Sequence, residues 1–389
     1  LLEEISIKLK KELISMSKII IIGPAPPYRG GIADFNEAFA NSLSKVGHDV
    51  EIISFTLQYP SFLFPGKTQY SKSKSSTYDF KITPLINSVN PFTWFKSSKY
   101  IINLKPDIIL FRFWMPFFAP CFGTIAKRLK NNNLKVIALV DNAIPHEKRV
   151  GDKNLTKYFF KYCDEFISLS SLVTKDINVI QNDAVVETLF HPVYDVFGPK
   201  VSREKGLKFL NFKDGNYLLF FGLIRDYKGL DLALEAMSHP EIKELNIKLV
   251  VAGEFYGNKN KYNDLIDELQ LKNIILFPEF IPKENVANYF AIADAVLQPY
   301  LTATQSGITQ VAYHFETPMI LTNVGGLPEI VTNNSEGLIC KVNSSEIAKS
   351  ILYFYKKIDR DKMVEAVRKR KSILSWANFV DKFEKRFLK

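Results

Sequence analysis

Two cations and a run of small polar residues carry the chemistry this chain could do. The segment Phe221-Gly222-Leu223-Ile224-Arg225-Asp226-Tyr227-Lys228-Gly229 passes from a strand pattern to a helix pattern through a turn bearing Arg225 and Lys228. A guanidinium can grip two phosphate oxygens in a bidentate fork, and an ammonium adds a point charge. At such a turn both could face a diphosphate leaving group and stabilise the charge that grows on it. The bland alternative is a solvated charge pair in a turn. The partner stretch is Val296 to Val331, VLQPYLTATQSGITQVAYHFETPMILTNVGGLPEIV. Its opening apolar run stops at Pro299, which cannot donate to a ladder. A polar loop then ends in Thr304, Gln305, Ser306 and Gly307. Ile308, Val311, Ala312 and Phe315 follow at helical spacing, which places Ser306 at the N-cap. Pro318 to Leu321 is the next strand, and Val324 to Glu329 is a second tight turn with a helix start behind it. Backbone N–H groups at two such turns, at the carboxyl ends of neighbouring strands, make a place for an anion.

A second set of candidates lies in the first half. Lys18 to Ile22 reads as a buried strand of β-branched residues. The loop Gly23-Pro24-Ala25-Pro26-Pro27-Tyr28-Arg29-Gly30-Gly31 follows, then an amphipathic helix from Ile32 to near Gly47, then a strand at Asp49 to Ile53. Gly30 and Gly31 would let a phosphate or sugar approach the backbone, although a plain turn needs no more. Asp107 to Phe111 is a strand with Arg112, Phe113 and Trp114 at its end, and Lys135 to Val140 is another. The loop after it, Asp141-Asn142-Ala143-Ile144-Pro145-His146-Glu147, sits where doubly wound folds keep their chemistry. A lone His in a loop is more often structural than catalytic.

These elements predict an α/β chain of two Rossmann-like, doubly wound domains. Residues 1–15 read as an N-terminal extension, because Met16-Ser17-Lys18 running into IIIIG looks like a start. Residues 16–200 form the first domain, 201–372 the second, and 373–389 a C-terminal helix packing back on the first, with Trp376, Phe379 and Phe383 as core contacts. His191 to about Asn216, rich in Gly, Pro and Lys, reads as the linker. Phe55 to Lys99, broken by Pro60, Pro65, Pro84 and Pro91, reads as loops and short helices.

The Val296–Val331 stretch resembles the donor-nucleotide region of glycosyltransferase family 4, the retaining GT-B glycosyltransferases. That region usually reads Glu-x7-Glu, a Gly-x-Pro, then Asn-Val-Gly-Gly-x-Pro-Glu. Asn323 to Glu329 fits closely, while Glu316-Thr317-Pro318 keeps only the Pro of the middle element. Counted back from Pro318, the glutamate places fall on Ala303 and Val311, and Gln305-Ser306-Gly307 resembles a branch with a Gln-Ser-Gly turn. The match extends to Gly30-Gly31, Phe35, Asn36, Gly47, His48 and Val50. Asp141 stands where the family usually has His, and the Pro-His-Glu that follows also resembles it. The resemblance implies a GT-B fold, two domains facing across a cleft, with the nucleotide held mainly by the second. It implies Arg225, Lys228, Asp141 and His146 as catalytic candidates. Gly30, Gly31, Gly222, Gln305, Ser306, Gly307, Ile308 and Glu329 become donor-binding candidates, with a helix-capping role equally open for Glu329. Asn142 and Trp114 become acceptor or sugar contacts. The expected activity is transfer of a sugar from a UDP- or GDP-linked donor to a glycan or lipid-linked acceptor, with retention of configuration. No metal and no cofactor are expected, since Arg, Lys and helix N-termini do the metal's work on the diphosphate. The expected setting is bacterial cell-surface polysaccharide or glycolipid synthesis. The rival readings are an inactive nucleotide- or glycan-binding protein on the same fold and a GT-B nucleotide-sugar epimerase.

Bulk properties set the frame. The 389 residues suit two or three domains, and 47% hydrophobic with 24% charged residues is ordinary globular composition. The net charge of +10 is uneven: residues 51–150 hold 14 Lys and Arg against 5 Asp and Glu, hence +9. That suits an anionic partner such as a membrane surface, or simply a Lys-heavy solvated face. No nucleic-acid-binding signature is present, so nucleic acid ranks last. Three scattered cysteines, Cys121, Cys163 and Cys340, point to reduced thiols in a cytoplasmic protein, placed at the inner face of the membrane if it touches lipid.

Overall fold

Runs of β-branched and aromatic residues become parallel strands buried on both faces. In the computed structural model, which describes residues 16–60, 68–70, 79–145, 149–194, 197–304 and 306–388, β1 is Lys18–Ile22 and its four isoleucines are fully buried. It lies inside a seven-stranded sheet with β2 (Asp49–Leu57), β3 (Lys81–Asn87), β4 (Ile108–Phe113), β5 (Val136–Val140), β6 (Glu165–Ser168) and β7 (Val186–Thr188). The order is β3-β2-β1-β4-β5-β6-β7, all parallel. The second sheet comprises β8 (Asn216–Phe221), β9 (Ile247–Ala252), β10 (Ile274–Phe277), β11 (Ala295–Gln298), β12 (Met319–Thr322) and β13 (Gly337–Cys340), in the parallel order β10-β9-β8-β11-β12-β13. Each sheet reverses its winding once, between β1 and β4 and between β8 and β11. The loops leaving those strands flank a crevice of the kind in which open α/β sheets bind ligands.

The chain forms two compact units. One runs to Phe190 and resumes at Trp376; the other is His191–Ser375. The last helix, Trp376–Phe387, buries Trp376, Phe379, Val380, Phe383 and Phe387, a single helical face. That face meets the Gly31–Lys45 helix of the same unit. Phe35 and Trp376 ring centres are 5.0 Å apart, Phe39 and Phe383 5.2 Å, and His48 Nε2 lies 2.9 Å from Glu384 Oε1.

One expectation needs correcting. The Phe55–Lys99 stretch is not a set of loops and short helices. β2 runs on to Leu57, β3 follows, and Pro91–Leu104 is a helix capped by Asn90, whose side chain accepts from Phe92 N–H. Pro84 hid β3, yet an edge strand tolerates proline on its open side, and β3 is the edge. Within the His191–Asn216 linker the structure also places a helix. Ser202 caps a helix at Arg203–Leu210, and Arg203 donates to the Ile292 carbonyl at 2.6 Å, tying it to the second unit. The unit boundaries fall at Phe190/His191 and Ser375/Trp376. Among the described residues no helix is long and apolar enough to cross a membrane. Residues 1–15, His146 and Gln305 lie outside the described residues.

Candidate functional site

β8 ends at Phe221, and Gly222 turns the chain with φ +95°. Asp226–Lys228 forms one 3-10 turn, and Gly229 starts the Leu230–Met237 helix in the left-handed conformation. A side chain at Gly229 would reach within 2.0 Å of the Pro299 carbonyl oxygen, so only glycine lets the two strand-end loops approach. Leu301 N–H donates to the Tyr227 carbonyl at 2.7 Å and locks them together. Gly325, with φ +52°, plays the same part for the next loop, since a Cβ there would fall 1.4 Å from the Ala303 carbonyl oxygen. Three loops, after β8, β11 and β12, are thereby gathered at one end of the sheet.

Lys228 stands at their centre. Its side chain is buried, with 7% exposure. Nζ lies 5.7 Å from the Tyr300 ring centre, and a methyl group on Gly222 would sit 3.4 Å from Nζ and 2.9 Å from Ile308 Cδ1. Lys228, Gly222 and the first turn of the Gly307–His314 helix therefore share one small space. Among the described residues no carboxylate pairs with this ammonium. Burial, with a smaller contribution from the neighbouring Arg225 charge, lowers its pKa to about 7. Arg225 is half-buried, its guanidinium stacked 5.3 Å from the Tyr256 ring centre. Two cations and a helix N-terminus, with no carboxylate paired to Lys228 among the described residues, form a site for a multiply charged anion.

Ser306 occupies the N-cap, but its hydroxyl does not cap the helix. It lies 3.4 Å from the Tyr300 hydroxyl, and burial pushes the Tyr300 phenol well above its ordinary pKa. Gly307 faces Tyr194, 3.2 Å from where its Cβ would be. Ala303 and Val311 are both buried. Gln310, beside Val311, is wholly buried and neither amide atom has a partner. Glu329 is exposed on a four-residue helical turn, Leu327–Ile330. Among the described residues no group of three or more His, Cys, Asp and Glu is arranged to hold a metal.

The first unit treats its candidates differently. Arg112 on β4 is 2% exposed and grips Asp141 with both arms, Nε to Oδ2 at 2.7 Å and Nη2 to Oδ1 at 2.5 Å. Phe35 stacks 3.9 Å from the guanidinium carbon. Asp141 is therefore one half of a buried ion pair with Arg112. Trp114 is also a core residue: its indole N–H donates to the Tyr59 hydroxyl at 2.8 Å and its ring packs 4.3 Å from Phe118. Asn142 is half-buried in the loop after β5. Gly30, φ +117°, precedes the Gly31–Lys45 helix, with open space where its Cβ would be. Tyr300, Tyr256, Tyr194 and Gly325 were not foreseen as parts of the site. Gly325 alone had a signal, in the Val-Gly-Gly turn; the tyrosines are placed by tertiary packing.

Residues 202–370, which contain all of the second-unit site, match the glycosyl transferases group 1 family. The second unit carries a group 1 glycosyl transferase domain. The whole glycosyltransferase is 23% identical over 345 residues to an uncharacterized glycosyltransferase of Methanocaldococcus jannaschii, covering 80% of this chain and 82% of that one. A shorter match, 25% over 146 residues, joins it to the D-inositol 3-phosphate glycosyltransferase of Pseudarthrobacter chlorophenolicus, with 37% and 34% coverage. Among solved structures, a glycosyltransferase from Rickettsia africae superposes with a TM-score of 0.71 at 20% identity, covering 96% and 99% of the two chains. The Anabaena HepE protein in complex with UDP superposes with a TM-score of 0.70 at 12% identity, over 95% and 98%. The fold is GT-B.

Proposed function

We propose that this glycosyltransferase belongs to family 4. It transfers a sugar from a nucleoside-diphosphate sugar, UDP- or GDP-linked, to a glycan or lipid-linked acceptor, with retention and without a metal. The observation that carries this reading is the buried ammonium of Lys228, without a carboxylate partner among the described residues, beside Arg225 and the Gly307–His314 helix start. A bound diphosphate supplies the missing counter-charge. As the sugar departs from it, the growing negative charge falls on Arg225, Lys228 and the backbone N–H groups of Gly307 and Ile308. Relatives set the context: one solved neighbour is the galactosyltransferase WaaB of the lipopolysaccharide outer core, and one sequence relative is a putative colanic acid biosynthesis enzyme of Salmonella typhimurium. The setting proposed is therefore cell-surface polysaccharide or glycolipid assembly at the inner face of the cytoplasmic membrane.

The test is a thermal-shift panel of UDP, GDP, ADP and CMP on the wild type, Arg225→Ala and Lys228→Ala. One nucleoside diphosphate should raise the Tm of the wild type only. A panel in which none shifts the wild type at millimolar concentration removes the proposal.

A further inference from the structure

We propose that the tip and outer face of the Pro91–Leu104 helix, with the neighbouring Ala119–Lys130 helix, form a docking surface for an anionic lipid bilayer. The helix begins just beyond the carboxyl end of β3, so its tip lies on the rim of the first sheet. Phe92 is 84% exposed there, Val89 50% and Phe95 47%. Asn90 pins the tip by accepting from Phe92 N–H, and Trp94 donates to the Asn87 carbonyl at 2.7 Å, so the aromatic wedge is held outward by a fixed backbone. Along the same helical face, Lys96 and Lys99 are exposed, four and seven residues beyond Phe92.

Charge decides what fits. The two helices carry Lys96, Lys99, Lys127, Arg128 and Lys130, and no acidic residue. Of the acids that come near, Asp164 pairs with Lys130 and takes that cation out of the count, Glu51 is held by Lys81 and the Tyr100 hydroxyl, and Asp107 accepts from Lys18 N–H. Arg128 donates to Ser98 Oγ and lies 5.0 Å from the Phe95 ring, joining the helices and backing the wedge. Apolar tips that need an apolar layer, followed along the helix by Lys96 and Lys99, which need anions, match the boundary between acyl chains and anionic headgroups. An aqueous polyanion offers the charges but nothing for Phe92.

This surface extends the membrane setting proposed above, and its test uses no nucleotide, so either can fail alone. The full chain is sedimented with phosphatidylcholine vesicles and with vesicles containing about one-third phosphatidylglycerol. Binding should require the anionic lipid and weaken with salt. Losing a basic side chain at such a surface weakens binding about five-fold. Phe92→Asp and the double variant Lys96→Glu/Lys99→Glu should therefore each lower it by at least about ten-fold, with an unchanged Tm. Phe209→Asp, at an exposed phenylalanine of the second unit, should leave binding as it was. No binding to anionic vesicles, binding indifferent to Phe92, or equal loss with Phe209→Asp overturns the proposal.

Discussion

Each unit buries one long cation near the carboxyl ends of its strands, and the two are treated in opposite ways. Arg112 in the first unit lies between Phe35 and a carboxylate that accepts from both its arms. Lys228 in the second has an aromatic ring, an aliphatic side chain and another cation for company. A paired buried charge is part of the scaffold, because removing either partner strands the other. An unpaired one is carried at a cost to folding that only a ligand relieves. Burial alone thus does not separate scaffold from site; the presence or absence of a counter-charge does.

The contrast is sharpest in stability. Asp141→Ala leaves Arg112 charged and alone in the core, and should lower the unfolding free energy by about 3–5 kcal/mol. Lys228→Met removes an uncompensated charge and should leave the urea midpoint unchanged or raised. Equal losses in the two variants would erase the distinction. Next in size is ligand binding. Lys228→Met should weaken the stabilising nucleoside diphosphate by about 1.5–3 kcal/mol, the worth of a hydrogen bond to a charged group, read by calorimetry. Gly325→Ala should cost about 1–2 kcal/mol for its left-handed backbone. The clash with the Ala303 carbonyl adds to this, and the variant should lose binding together with Tm.

The smallest effect is that of pH. The folded pKa of Lys228, about 7, lies below its unfolded value. The unfolded chain therefore binds the extra proton between the two, and stability rises with pH across that window. A diphosphate favours the charged form, so binding takes up a proton. Affinity should fall about five-fold from about pH 7 to about pH 8. Lys228→Met should flatten that slope.

Legibility in the sequence followed the range of the interaction. The turn from Gly222 to Gly229 and the polar loop before Ile308 are local patterns, and both lie where strand-to-helix reading places them. The Arg112–Asp141 pair is invisible from spacing, because its partners are 29 residues apart and meet only when β4 and β5 align. The sequence marks Asp141 as a catalytic candidate without showing its Arg112 partner, and Trp114 as an acceptor or sugar candidate without showing that its N–H donates to Tyr59, 55 residues away. Tyr300 follows Pro299 in a loop, where nothing predicts that it will roof Lys228. The Pro91–Leu104 helix escaped notice because its exposed face mixes Phe with Lys, which blurs the helical period.

The chain's last helix belongs to its first unit, and this orders events during synthesis. Phe35 and Phe39 leave the ribosome before the second unit, yet the rings that cover them, Trp376, Phe379 and Phe383, are made only after all of it. The second unit is a complete insertion, and its two ends meet where Val193 N–H donates to the Leu374 carbonyl at 2.9 Å. It can close on itself while the first unit still waits for its final face. The nascent protein therefore passes through a stage with its C-terminal domain built and its N-terminal core open, a natural client for a chaperone that holds exposed aromatic surface.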